Sequence, residues 1–188
     1  CGAGGYDFIL KRFFQVTGVD ISPEMLAIAR QTNPEVTYVQ GDMRDIQLSA
    51  CFDVAIVPDA IDYMVTLPEL KSAIAVANRH LKPGGLLAIV GKTREEFWDN
   101  NFCYSGKNDE VEITIFENNY IVPDYPSNSY EATLIYLIRQ QGEQTIHCDR
   151  HLLGLFGESD WLSAFQEAGL TVKQQRWDGV YEPFILGE

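Results

Sequence analysis

The chain has 188 residues, 46% of them hydrophobic and 22% charged, with a formal net charge of -13. That length and apolar content suffice for one folding unit with a proper core, and the acidic balance argues against nucleic-acid backbones and anionic membranes as partners, since both want a basic face. The sequence has no apolar run of membrane-spanning length and no charged-then-apolar leader; its four cysteines, Cys1, Cys51, Cys103 and Cys148, are widely spaced without a CxxC pair, which reads as a cytoplasmic protein with reduced thiols.

In chain order, CGAGG is a glycine turn that feeds a short helix closing over Phe8–Phe14. Gln15–Asp20 reads as a buried strand with an acid at its end. Ser22-Pro23-Glu24 starts a helix to about Gln31, because serine caps and proline suits the first helical position. Val36–Gln40 is the next strand and ends in Gly41-Asp42. Phe52–Val57 is another, stopped by Pro58. A helix follows over about Leu67–Leu81, with His80 at its end. Lys82-Pro83-Gly84-Gly85 is a hard turn before the strand Leu86–Val90. Strands alternating with helices imply βαβ units and a parallel sheet, and runs such as VAIV and LLAIV suit a sheet buried on both faces.

The pattern changes after Gly91. Glu112–Tyr120, Ser129–Arg139 and Gln144–Leu153 read as strands rich in β-branched and aromatic residues, with Gln141-Gly142 as a hairpin turn. Ser159–Ala168 reads as a helix capped by Ser159 and ended by Gly169. Val172–Trp177 and Phe184–Leu186 are closing strands. The expected fold class is α/β, a Rossmann-like parallel-rich sheet with flanking helices and an added antiparallel layer. The 188 residues form one domain on this reading, with 1–91 as a cofactor-binding half, 92–157 as a substrate-covering insert and 158–188 as the closing helix and strands.

Open α/β sheets bind ligands at the carboxyl ends of their strands. Gly2 and Gly4 let backbone approach a ligand, and the helix after them favours an anionic group; an ordinary tight turn is the alternative. Asp20 ends the next strand, where an acid can accept both hydroxyls of a ribose; its alternative is a helix cap. Asp42 can accept from an exocyclic adenine amine, and the Met43 thioether can lie on the ring face.

Taken together, CGAGG, VDISPEML, YVQGDMRDI, FDVAIVPDAIDYM and HLKPGGLLAIV, in this order and spacing, resemble the class I S-adenosylmethionine-dependent methyltransferases over about residues 1–91. The resemblance implies S-adenosyl-L-methionine as cofactor. It implies that Gly2, Ala3 and Gly4 hold its methionine end, that Asp20 binds the ribose with Ile21 flanking it, and that Asp42 and Met43 bind the adenine. Met25, within VDISPEML, is counted with this site, and Pro58 to Tyr63 would border the sulfonium and the substrate. The family has a strand before the glycine loop and a helical lid before that, so the resemblance also implies an N-terminally truncated chain. If the chain is complete, the lost central strand would leave two hydrogen-bonding edges exposed, and the monomer is expected to be unstable or inactive. The stretch YLIRQQGEQTIHCDRHLLGLF resembles, more loosely, the amino-sugar N-methyltransferases, in which such a layer covers the active site.

Methyl transfer needs alignment more than a catalytic group. One cluster still stands out. His147, Asp149 and His151 alternate, so a strand would point all three to one face. The catalytic reading makes His151 or His147 a base oriented by Asp149; a structural polar cluster is its equal. A metal site ranks below both, because nothing else completes a ligand set. The expected function is methyl transfer to a small-molecule acceptor such as a sugar amine, with a homodimer open. The alternatives are a catalytically silent protein of the same fold and, below that, an NAD-dependent dehydrogenase, which the missing GxGxxG disfavours.

Overall fold

The computed structural model describes residues 1–175 and 184–187. The first half builds α1 (Gly5–Leu10), β1 (Thr17–Asp20), α2 (Pro23–Thr32), β2 (Thr37–Gln40), β3 (Phe52–Pro58), a 3-10 turn (Ala60–Tyr63), α3 (Leu67–Arg79) and β4 (Leu81–Val90). α1 starts at the glycine turn itself and ends before Phe13 and Phe14, earlier than the sequence suggests, and both phenylalanines stand exposed. α2 begins as expected: the Ser22 hydroxyl accepts from the Met25 amide at 3.1 Å, and Pro23 occupies the first turn.

Two parallel pairs result, β1–β2 spanned by α2 and β3–β4 spanned by α3. They belong to different sheets. One is β1–β2; the other has the order β3–β4–β10–β9, with β9 (Val172–Gln175) and β10 (Phe184–Gly187) antiparallel. The single parallel-rich sheet expected from sequence is therefore divided, and β1 and β3 each pair with one neighbour among the described residues. Trp177, expected to end the last strand but one, lies outside those residues.

Lys82–Gly85 is a bulge inside β4, not a turn before it. Phe52 faces Leu81 while Val54 faces Leu86, so four residues bow out opposite Asp53. Gly84 takes φ +76°, and the Lys82 ammonium reaches the Asp53 carboxylate at 2.9 Å.

The antiparallel layer is β5 (Asn100–Lys107), β6 (Val111–Tyr120), β7 (Ser129–Gln140) and β8 (Glu143–Gly154), in sequential order. Gln141 and Gly142 both have positive φ, +52° and +84°, the two-residue turn whose twist suits a hairpin. α4 (Glu158–Glu167) starts one residue before Ser159, which is not its cap. The Asp160 carboxylate accepts from the Gly157 amide at 3.2 Å, and the Glu95 carboxylate accepts from the Glu158 amide at 3.0 Å. Gly169, at φ +81°, closes this helix as expected.

The main core joins both halves: Ile61, Met64, Leu70 and Ile74 pack with Leu87 and Ile89 of β4 and with Phe156, Trp161 and Phe165. A smaller core of Leu26, Ala29, Val36 and Tyr38 lies under α2, and Tyr130, Ala132 and Leu155 form a third beneath the antiparallel layer.

Candidate active site

The glycine turn is built from below by residues that sequence reading did not single out. The Asn33 amide donates to the Gly4 carbonyl at 3.0 Å and to the Tyr38 hydroxyl at 3.2 Å, and that hydroxyl donates to the buried Asp7 carboxylate at 3.0 Å. Burial is the main cause that pushes the Tyr38 hydroxyl above its ordinary pKa, so it stays a donor. A side chain at Gly4, φ +82°, would strike Asn33 Nδ2 at 2.6 Å and the Tyr38 oxygen at 2.9 Å. Gly2, φ +56°, has open space where a side chain would stand, and Ala3 is exposed beside it.

Asp20 faces this turn from the end of β1. Its Oδ2 accepts from the Gly2 amide at 2.7 Å and its Oδ1 from the Ser22 amide at 2.9 Å. Burial raises its pKa, but the bonds from Ser22, Gly2 and the Cys1 amino group together lower it, and the carboxyl sits below its ordinary range. A carboxylate oxygen has two lone pairs, so Oδ1 keeps acceptor capacity for a hydroxyl. Ile21 and Met25 stand exposed alongside. An ionised acceptor, an open glycine turn and exposed apolar walls fit a nucleoside carrying a charged tail.

Asp42 has a cation beside it that the sequence reading did not single out. Arg44 grips its carboxylate, with Nε at 3.0 Å from both oxygens and Nη2 at 2.6 Å from Oδ2, while the Arg44 amide adds a bond of 2.8 Å to Oδ1. The Arg44 side chain is the largest cause of the lowered Asp42 pKa. Met43, beside it, is partly buried and packs against the main core.

The other wall forms after β3. Pro58 pairs with Val90, and Asp59 follows in the left-handed region at φ +55°, a conformation that costs energy outside glycine and clusters at sites. The 3-10 turn then sends Ile61 and Asp62 inward and leaves Tyr63 half exposed. The Tyr63 hydroxyl lies 3.2 Å from His151 Nδ1, with the two rings edge to face at 5.8 Å. Burial is the largest cause that holds the Tyr63 hydroxyl above its ordinary pKa, followed by the charges of Tyr136, Asp149 and Asp20.

β8 carries His147, Asp149 and His151 in alternation, opposite Tyr136, Leu134 and Ala132 of β7, on one face of the layer. The expected orienter is corrected: the ring of His151 is held by Tyr63, from the other half of the chain, and not by Asp149. His147 and Asp149 are exposed, and the Asp149 charge acts on the Tyr63 hydroxyl. Among the described residues no three His, Cys, Asp or Glu side chains converge as a metal site.

Residues 1–85 match the family described as Methyltransferase domain. Over 176 residues the chain is 28% identical to a dTDP-3-amino-3,4,6-trideoxy-alpha-D-glucopyranose N,N-dimethyltransferase of Streptomyces venezuelae, covering 92% of this chain and 73% of that protein. Over 187 residues it is 30% identical to a putative methyltransferase of Geobacillus sp. (strain WCH70), covering 92% and 72%. The crystal structure of Streptomyces venezuelae DesVI superposes with a TM-score of 0.89 at 26% identity, over 100% of this chain and 80% of that one. The glycine turn facing an ionised acid, the parallel pairs with their added antiparallel layer and a methyltransferase relative at 30% identity, matched over 92% of this chain and 72% of its own length, lead to one assignment: the chain belongs to the class I S-adenosylmethionine-dependent methyltransferases.

Proposed function

We propose that this chain methylates the amine of a small-molecule acceptor, of the dTDP-amino-sugar kind on which its Streptomyces venezuelae relative acts, with His151 as the base that collects the proton. The Tyr63–His151 pair carries this reading, because it joins the strand end beside the cofactor rim to the inner face of the covering layer. When bound, S-adenosylmethionine supplies a methyl group activated on a sulfonium.

The chain's own residues bind, orient and move one proton. Asp20 accepts the ribose hydroxyls, Gly2, Ala3 and Gly4 leave room for the methionine end, and Ile21 and Met25 flank the nucleoside. Asp42 and Met43 border the adenine, with Arg44 fixing the carboxylate. An acceptor amine attacks only when neutral, and its product sheds a proton. His151 takes it at Nε2 in the tautomer whose Nδ1–H donates to the Tyr63 oxygen. Pro58 holds the strand end from which Tyr63 projects. Asp149 and His147 extend the same face and favour a cationic or hydrogen-bonding acceptor. A cytoplasmic small-molecule enzyme is the setting this reading carries, with residues 92–157 as the cover.

The test is calorimetric titration of S-adenosylmethionine into the wild-type chain and Asp20→Ala, followed by turnover with a dTDP-3-amino sugar. Saturable binding lost in Asp20→Ala is expected, and His151→Gln should lower turnover by about 10²-fold or more. Equal binding by Asp20→Ala would remove the ribose role, and full turnover by His151→Gln would remove the base.

A further inference from the structure

Beneath the Tyr63–His151 pair lies a buried charged node outside the binding roles given above. Asp62 is only 5% exposed, and its Oδ2 accepts from Lys92 Nζ at 3.2 Å and from the Tyr130 hydroxyl at 3.1 Å. The same ammonium lies 5.7 Å from the centre of the Tyr130 ring. Tyr130 is 1% exposed and packs against Phe97. Three separate segments meet here: the 3-10 turn after β3, the residues just after β4, and β7 of the covering layer.

A buried ion pair contributes little net stability, because desolvation offsets its attraction. What it adds is a unique arrangement. Asp62 and Tyr63 are consecutive in one short turn, so an anchor on Asp62 holds the backbone that carries Tyr63. Tyr130 neighbours Ala132 on the face of β7 that pairs with His151 on β8. The bond from Tyr130 to Asp62 therefore ties the turn that carries Tyr63 to the sheet that carries His151. Gly154 supplies the second tie: a side chain there would overlap the Met64 carbonyl, so β8 lies flush against the end of the same turn.

We propose that Asp62, braced by Lys92 and Tyr130, is a positioning residue that sets the Tyr63–His151 hydrogen bond and with it the tautomer of His151. This rests on reading His151 as the base, yet it is measured without turnover. The full chain labelled with 15N-histidine reports the protonated ring nitrogen directly, and the His151 signals are assigned by their loss in His151→Gln. The wild-type ring is expected with its proton on Nδ1. In Asp62→Asn that bias should shift toward the tautomer ratio of Tyr63→Phe, with the folded amide spectrum retained. A wild-type ratio in Asp62→Asn, alongside a changed ratio in Tyr63→Phe, overturns the proposal; so does an unchanged ratio in Tyr63→Phe. If Asp62→Asn does not fold, Tyr130→Phe decides, since it removes one hydroxyl and leaves the Lys92–Asp62 pair: the same shift supports the proposal and a wild-type ratio overturns it. Full turnover by His151→Gln would defeat the base reading alone and leave the tautomer result standing.

Discussion

Asp20 shows how a single residue sits between a structural and a binding role. Its carboxylate is held ionised by amide donors from Ser22 and Gly2, which tie the glycine turn to the end of β1. A carboxyl whose folded pKa lies below its ordinary value of 3.8 contributes stability above that value. The contribution is lost as the pH falls through the lower folded value. The melting temperature of the wild-type chain should therefore fall on acidification through this range with an increment that Asp20→Asn lacks; parallel curves for the two would show that the carboxylate is not held as described. This residue was legible in the sequence, as an acid ending a strand. So was the shared face of His147, Asp149 and His151, because alternation is local. The partner of His151 was not, since Tyr63 stands 88 positions away. Nor was the grip of Arg44 on Asp42, because a guanidinium two residues on can point either way.

At the level of elements, α3 carries the clearest local signal. The Thr66 hydroxyl accepts from the Glu69 amide at 3.4 Å, and the Glu69 carboxylate accepts from the Thr66 amide at 3.1 Å, a reciprocal cap with Pro68 in the first turn. Thr66→Ala should cost about 0.5–2 kcal/mol, read as a melting-temperature drop of roughly 2–4 °C per kcal/mol for a chain this long. No change in melting would mean that Arg44, which also reaches Glu69, holds the helix start by itself. Elements with such punctuation were read correctly, as α2 was from Ser22 and Pro23. β5 was missed, because NNFCYSGK has no β-branched residue and no alternation, and is a strand only through pairing with β6. The Lys82–Gly85 bulge reads as a turn in the sequence because its glycines and proline carry the same local signal in both settings.

The whole molecule depends on how its two parallel pairs are joined. β1 and β3 share no ladder among the described residues, so Asp20, at the end of β1, and Tyr63, in the turn after β3, follow strands of different sheets. The segment 42–48 spans them and is strapped along α3. Arg44 bonds Glu69 at 2.6 Å, Ser72 donates to the Arg44 carbonyl at 2.8 Å, and Arg79 donates to the Ile46 carbonyl at 3.3 Å. The last tie is the buried His80, whose two ring nitrogens have fixed tasks. Nε2 lies 2.9 Å from the Leu48 amide and must accept, so Nδ1 carries the proton and donates to the Val76 carbonyl at 2.8 Å. In His80→Phe the Leu48 amide loses its acceptor, at a cost of about 1–3 kcal/mol for a buried polar group left unsatisfied. If this strap holds the halves in register, the loss should exceed a local effect. Hydrogen exchange should quicken at Leu48 and also across β1 and β2, while β3 and β4 keep their protection, and S-adenosylmethionine should bind more weakly because Asp20 and Tyr63 no longer keep a fixed separation. Faster exchange confined to Leu48, with unchanged cofactor affinity, would show that the His80 tie does not hold the two sheets in register.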